Sequence, residues 1–294
     1  MARHAVLPSN DKLLNGFLLS RQVMDCTEPT LRNYKGRLRQ FLRFLYAYNE
    51  GISLTQINRQ HVEAYLVTFR NEGRSSFTLR AQYRCLSAFY QWMVIEQFID
   101  ESPLRNMKVP RVPKQSKEFI TEADFHKLLE FCPLSTYIGA RNAAALWLFW
   151  STGMRLSELA NLQIKDLDNE RHRIKLFGKG RKERFVPYSQ EAVKAIWRYL
   201  SYRDDNIPQL WLSEERKTIK PEGIRLGITR LYQRAGIKRK DVCHIFRRTW
   251  AMRNLKANIP TQYVLLVGGW EDVRTLDGYV RAMRSDEALG AKWV

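Results

Sequence analysis

Two prolines, Pro110 and Pro113, sit in the run NMKVPRVPKQS at residues 106–116 and constrain most what this chain can fold into. Neither proline offers an amide hydrogen, and each pushes the residue before it, Val109 or Val112, toward extended backbone. No helix crosses such a segment, so it reads as a linker between two separately packed bodies. The expected division is an N-terminal domain over residues 1–112 and a C-terminal domain over residues 117–294, with the linker around 106–116. At 294 residues and 45% hydrophobic content, the chain is long and apolar enough to give each body a core. Lys108, Arg111 and Lys114 in the linker suit a phosphate backbone clasped between the two bodies.

Ahead of the linker the periodicity is helical. Leu31, Tyr34, Leu38, Phe41, Leu42 and Leu45 recur at three- and four-residue steps between Arg32, Lys35, Arg37, Arg39 and Arg43. This is an amphipathic helix over 30–46 with a basic outer face. Val62, Tyr65, Leu66 and Phe69 predict a second helix over 59–71. Leu79, Tyr83, Leu86, Phe89, Tyr90 and Met93 predict a third over about 76–95, with Arg80 and Arg84 at its exposed positions. The N-terminal domain is therefore expected to be an all-α bundle whose outer faces carry cations.

The C-terminal domain reads as mainly α with a small antiparallel β-sheet, an α+β body. Thr121 with Asp124 three residues on marks a helix start. Residues 143–150 are almost wholly apolar and should form the buried centre. Strand character at 172–177 and 184–187, separated by Gly-Lys-Gly-Arg-Lys-Glu, predicts a hairpin with a basic loop, and helix returns from Glu191.

Charge narrows the partner. Lys and Arg number 49 against 30 Asp and Glu, a formal charge of +19, so an anionic polymer comes first to mind. Cys26, Cys85, Cys132 and Cys243 lie far apart, without a CxxC or His-spaced pair, and indicate neither a zinc site nor a disulfide framework. They read as reduced, mostly packed thiols. The first twelve residues carry no secretory apolar stretch, and no segment reaches the roughly 18 apolar residues of a membrane span. A cytoplasmic protein is expected.

Four segments concentrate groups able to do chemistry. Thr152-Gly-Met-Arg155-Leu-Ser-Glu158-Leu159 follows the apolar helix, its glycine turning the chain so that Arg155 opens the next one. Lys179 lies in the hairpin loop. His244 and Arg247, three residues apart, share one side of a helical turn. Gly269-Trp270 is followed by Tyr279. Singly, each has an ordinary structural explanation. Arg155 and Glu158 at helical spacing match a surface ion pair worth well under about 1 kcal/mol, and Lys179, His244, Arg247 and Tyr279 are unremarkable alone.

In this order and spacing, however, the four segments resemble the signature of tyrosine recombinases and phage-type integrases, and in layout most of all the bacterial Xer chromosome-dimer recombinases. The family's Thr-Gly-x-Arg-x-x-Glu-Leu falls on residues 152–159. Its Gly-Lys-Gly hairpin and Glu-Arg-x-Val-Pro strand fall on 178–187, its His-x-x-Arg on His244 and Arg247, and its closing Gly-(His or Trp) and Tyr on Gly269, Trp270 and Tyr279. The likeness spans most of 121–294, and the N-terminal helices resemble the family's core-binding domain more loosely. This chain departs from the pattern at Phe246, at Arg248 where His is common, at Gly268 where an aliphatic residue is usual, and at Trp270 in place of the commoner His. The glycine should loosen its local backbone.

The resemblance implies DNA transesterification. Tyr279 attacks a phosphodiester, leaving a 3′-phosphotyrosyl link and a free 5′-hydroxyl, with no ATP consumed. A phenol near pKa 10 is a poor neutral-pH nucleophile but a serviceable leaving group for the reverse step. On this reading His244 takes or shares its proton, Arg155 and Arg247 clamp the phosphorane oxygens, and Lys179 protonates the departing 5′-oxygen. Trp270 donates an indole N–H and buttresses Tyr279, while Glu158 orients Arg155. No metal or other cofactor is implied, and the sequence has no acidic cluster at metal-ligand spacing. The implied partners are double-stranded DNA bearing specific sites, a homotetramer on two sites, and accessory proteins, with Arg39, Arg80, Arg84 and Arg111 as candidate DNA contacts. The tail after Tyr279, with Leu289 and Trp293, is expected to pack either on a neighbouring protomer or back on its own domain. Two other readings stand beside recombination: nicking and religation as in type IB topoisomerases, and a DNA-binding protein that keeps the fold without the chemistry.

Overall fold

The structure, a computed structural model, describes residues 9–48, 52–113, 118–177, 183–274, 276 and 278. It separates into two compact units, Met1–Gln115 and Ser116–Val294.

The first unit holds four α-helices among its described residues: α1 Asn10–Val23, α2 Glu28–Tyr48, α3 Arg59–Asn71 and α4 Ser76–Ile95. Their starts follow from the sequence. The side chains of Ser9, Asn58 and Ser75 each accept from a backbone N–H of the first turn, which would otherwise lack a partner. The predicted apolar faces of α2, α3 and α4, joined by α1, close on one core around Phe17, Phe41, Tyr65, Leu86 and Phe89. Phe17 meets Phe89 edge-on at 5.4 Å, the geometry that aromatic quadrupoles favour. At the junction of α2, α3 and α4 the core is polar: buried Gln82 bonds Tyr65 Oη and Gln40 Oε1, and takes a long contact from Arg37. The segment entering the proline run is tied to this unit, with Leu104 buried and Tyr83 Oη donating to the Met107 carbonyl at 2.7 Å.

Arg39, Arg84 and Arg111 are exposed, as expected of candidate DNA contacts. Arg80 is not. It is half-buried, and its Nε is enclosed without a hydrogen-bond partner among the described residues. Lys114 lies outside the described residues.

The second unit contains α5 Glu122–Glu130, α6 Tyr137–Thr152, α7 Leu156–Ala160, β1 Leu167–Asp168, β2 Arg173–Phe177, β3 Glu183–Pro187, α8 Gln190–Leu200, α9 Pro221–Arg234, α10 His244–Lys256 and α11 Thr261–Gly268. The three strands form an antiparallel sheet in the order β1-β2-β3, with Leu167 opposite Ile174 and Ile174 opposite Val186. Alternation along β2 and β3 buries Ile174, Leu176 and Val186 and leaves their neighbours outside. The apolar run at 143–150 is the centre of the unit, as its composition requires: α6 packs against α8, α9 and α10 and is buried along nearly its whole length. Phe125 stacks on Trp150 at 4.2 Å and Phe149 on Phe246 at 5.6 Å. Phe246 is therefore a core residue of α10, which accounts for one departure from the family pattern.

All four cysteines are free. Burial pushes the thiols of Cys85, Cys132 and Cys243 up to about 12, so they sit in the protein as packed, protonated groups. No helix among the described residues is long and apolar enough to cross a membrane.

Candidate active site

Helix α6 ends because Gly153 takes a left-handed conformation, φ 59°, and donates its N–H to the Phe149 carbonyl at 3.0 Å. A side chain there would be strained twice over, since a Cβ at Gly153 would lie 2.7 Å from the Trp250 ring. Thr152, buried, completes the turn by donating from Oγ1 to Leu148 O and accepting from Met154 N. The reversal places Arg155 at the start of α7.

Glu158 reaches back to that start. Its Oε2 accepts the Arg155 backbone N–H and its Oε1 accepts Arg155 Nη1, both at 2.8 Å. The surface ion pair suggested by spacing alone is not what forms. The Glu158 side chain is only 5% exposed and also takes a two-pronged bond from Arg184 of β3, with Nη1 and Nη2 each 2.9 Å from a carboxylate oxygen. Burial pushes the Glu158 carboxyl up, but the bonds from Arg184 and Arg155 outweigh it and hold the group below the usual carboxylate range. The Arg155 side chain keeps 40% of its surface open, with Nη2 donating to Gly269 O at 2.7 Å.

Helix α10 begins at His244, whose backbone N–H donates to Asp241 Oδ1 at 2.9 Å. Asp241 Oδ2 also pairs with Arg248 Nη1 at 2.9 Å. The departure at 248 thus has a structural role, tying the first turn of α10 to the loop before it. His244 keeps an exposed edge. Protein packed behind its ring, then the guanidiniums of Arg248, Arg247 and Arg155, hold its pKa below the ordinary histidine value against the pull of Asp241.

Arg247, one turn further along, is only 1% exposed. A guanidinium is stable there only with charge-assisted partners. Nη1 donates to Gly153 O at 3.0 Å, Nη2 to Gly268 O at 2.6 Å, and the group lies over the Trp270 ring at 3.7 Å. Of the two arginines expected to form a clamp, Arg155 is thus open to the surface and Arg247 is buried.

The turn after α11 mirrors the one after α6. Gly269 is left-handed at φ 65°, and the N–H groups of Gly269 and Trp270 return to Leu266 and Leu265 carbonyls. Trp270 stacks on Trp250 at 6.2 Å, and Trp250 Nε1 donates to Ser151 O at 2.9 Å. The glycine at 268 does not loosen this turn; it is required by it. A Cβ on Gly268 would lie 2.0 Å from the Trp270 ring, so an aliphatic residue there and an indole at 270 exclude each other. Arg155 and Arg247 together tie the two glycine turns, 153 and 268–269, to one another.

Beside them runs a groove of about 530 Å³ lined by Arg155, Arg225, Arg239, Lys240, Asp241 and His244. Lys179 and Tyr279 lie outside the described residues. Their described neighbours are Phe177, the last residue of β2, Glu183, the first of β3, and Leu276, buried with Trp250, Ala251 and Val264. Among the described residues no three His, Cys, Asp or Glu are placed to hold a metal ion. Sequence reading missed Arg184, Asp241 and Trp250. Arg184 alone carried a signal, as the arginine of the strand leaving the Lys179 loop.

The comparisons with known proteins agree with this layout. The phage integrase family model matches residues 118–285, and the model for the phage integrase N-terminal SAM-like domain matches residues 23–97. The chain is 30% identical over 232 residues to the tyrosine recombinase XerC of Thermodesulfovibrio yellowstonii, covering 76% of this chain and 75% of that protein. It is 24% identical over 266 residues to the tyrosine recombinase XerD of Oceanobacillus iheyensis, covering 88% of this chain and 89% of that one. Its fold is shared with the XerH site-specific recombinase crystallised on a palindromic difH substrate, at TM-score 0.75 and 18% identity over 96% of this chain and 84% of that one. The chain belongs to the phage integrase family and is a tyrosine site-specific recombinase.

Proposed function

We propose that this recombinase exchanges DNA strands at specific sites by attaching Tyr279 to the 3′ side of a scissile phosphate and freeing the 5′-hydroxyl. The observation that carries this reading is the pairing of an open guanidinium, Arg155, with a buried one, Arg247, at the edge of a cationic groove that also holds His244. As the phosphorus becomes five-coordinate, charge grows on its non-bridging oxygens, and preorganised cations stabilise that state without reorganising. Arg155 meets those oxygens directly. Arg247 acts from behind as a fixed charge, and its direct contact with phosphate requires the turn at 268–270 to shift when DNA binds.

His244 receives the Tyr279 proton, Lys179 delivers one to the leaving 5′-oxygen, and Trp270 supports Arg247 and the tyrosine's approach. The N-terminal unit, with Arg39, Arg84 and Arg111, holds duplex DNA, and four protomers assemble on two sites in the cytoplasm. Site choice involves accessory proteins.

A paired-site plasmid assay tests the reading. Recombinant product is expected from two sites; relaxation of a one-site supercoiled plasmid without exchange would identify a topoisomerase instead. The depressed pKa of His244 sets a pH prediction. A lowered value means the imidazole gives up its proton at lower pH, so it is neutral and ready to accept throughout pH 7–8. Single-turnover cleavage should be flat there and fall only below the ordinary histidine value of about 6.5. His244→Gln should be slower and lose that acidic limb; an unchanged limb would remove His244 from proton transfer. Alanine at Arg39, Arg84 or Arg111 should each reduce the salt slope of DNA binding by about one phosphate contact. A slope equal to the parent's would take that residue out of the interface.

A further inference from the structure

Arg184 has no assigned part in the chemistry, yet its guanidinium bonds two separate elements of the site, α7 and α11. It forks onto both oxygens of Glu158, and its Nε donates to Val267 O at 2.9 Å. Its side chain is 11% exposed. Its head also fills the space where Gly269 lacks a side chain, since a Cβ there would lie 2.9 Å from Arg184 Cζ. From β3, one residue thus joins the carboxylate that holds Arg155 to the turn whose carbonyl accepts from Arg155.

From this geometry we infer that Arg184 is a positioning residue of the recombinase, fixing Arg155 through Glu158 and the Gly269 turn so that one fork of Arg155 stays aimed into the groove. The inference rests on the proposed role of Arg155 as the cation that meets the scissile phosphate. Arg155 has two tethers, Glu158 and Gly269 O, and Arg184 bonds the first and braces the second. A surface ion pair would leave Arg155 free to choose among solvent-facing rotamers. Here the carboxylate is itself fixed by a planar fork that lysine cannot reproduce. A displacement of about 1 Å in such a group can cost roughly a hundredfold in rate.

The other charged groups around Glu158 cannot stand in for Arg184. Lys175 of β2 lines a small cleft with Glu158 but pairs with Glu183 at 2.8 Å. Asp166 lines the same cleft and accepts the Gln163 N–H at 2.8 Å. Without Arg184, burial would raise the Glu158 carboxyl with only Arg155 to oppose it. Glu158 would then take up a proton as the pH falls and release Arg155 at a pH where the parent still holds it.

The test compares the parent, Arg184→Met and Arg184→Lys on a nicked suicide duplex at saturating DNA. It records the cleavage rate from pH 6 to 9, the DNA dissociation constant and the unfolding midpoint. Arg184→Met should bind DNA within about threefold of the parent yet cleave about a hundredfold more slowly. Its rate should fall further toward acid, and the lysine variant, which keeps the charge and the fold, should lie between. Parental cleavage at every pH by folded Arg184→Met overturns the inference, and so does a loss of binding and cleavage in the same proportion in both variants, which marks Arg184 as structural only. No cleavage by the parent itself, under conditions where it binds, removes the proposed chemistry and this inference with it.

Discussion

Replacing Arg247 by lysine should lower single-turnover DNA cleavage by about a hundredfold to a thousandfold, the range seen when one donor of a preorganised oxyanion site is lost. It should also lower stability by about 2–3 kcal/mol, since the guanidinium donates to two carbonyls in a site almost closed to water. An ammonium keeps the charge but cannot reach Gly153 O and Gly268 O with a planar fork, nor lie flat on Trp270. The two effects separate in measurement, because cleavage is read at saturating DNA and stability from denaturant midpoints. A lysine variant within tenfold of the parent in cleavage and equal to it in midpoint would show that charge alone suffices at 247.

The second large effect is expected from the smallest change, Gly268→Ala. Two terms oppose one another. Alanine is favoured over glycine in a helix by about 1 kcal/mol, and Gly268 is the last residue of α11. Against that, the added methyl would stand 2.0 Å and 2.3 Å from two Trp270 ring carbons, a contact no small adjustment relieves. Overpacking of this kind costs about 1–3 kcal/mol, so the indole must move. It then leaves both Trp250 and Arg247, and cleavage should fall by at least about tenfold, with a change in tryptophan emission. Gly268→Ala combined with Trp270→His should recover activity relative to Gly268→Ala alone, because imidazole leaves room for the methyl. Independent, additive losses would contradict this coupling.

Much of this fold was legible because the residues that decide it act locally. α3 and α4 follow from apolar spacing together with Asn58 and Ser75 as caps, and the strands from alternation around Ile174 and Val186. α1 escaped notice although Leu13, Leu14 and Phe17 are buried, because Leu19 and Val23 are apolar too yet exposed, which blurs the helical face. The candidate residues were legible as a set, from the resemblance, while their environments were not. Helical spacing puts Glu158 beside Arg155, but only the tertiary fold buries the carboxylate and brings Arg184 of β3 onto it. Nothing local tells that Arg247 is inside and Arg155 outside, since that difference is made by Trp270 and the two glycine turns. Gly268 misled for the same reason: its constraint is a ring two residues away in sequence that closes back onto it.

The claim on which the rest depends is the covalent step, and trapping tests it most directly. The protein is incubated without added metal on a nicked suicide duplex carrying the recombination site of its own element. The product is then resolved under denaturing conditions. The account predicts a protein–DNA adduct through the 3′-phosphate that forms with the parent and is absent with Tyr279→Phe, while both bind the duplex equally. An adduct that persists in Tyr279→Phe, or tight binding by the parent with no adduct, would contradict it.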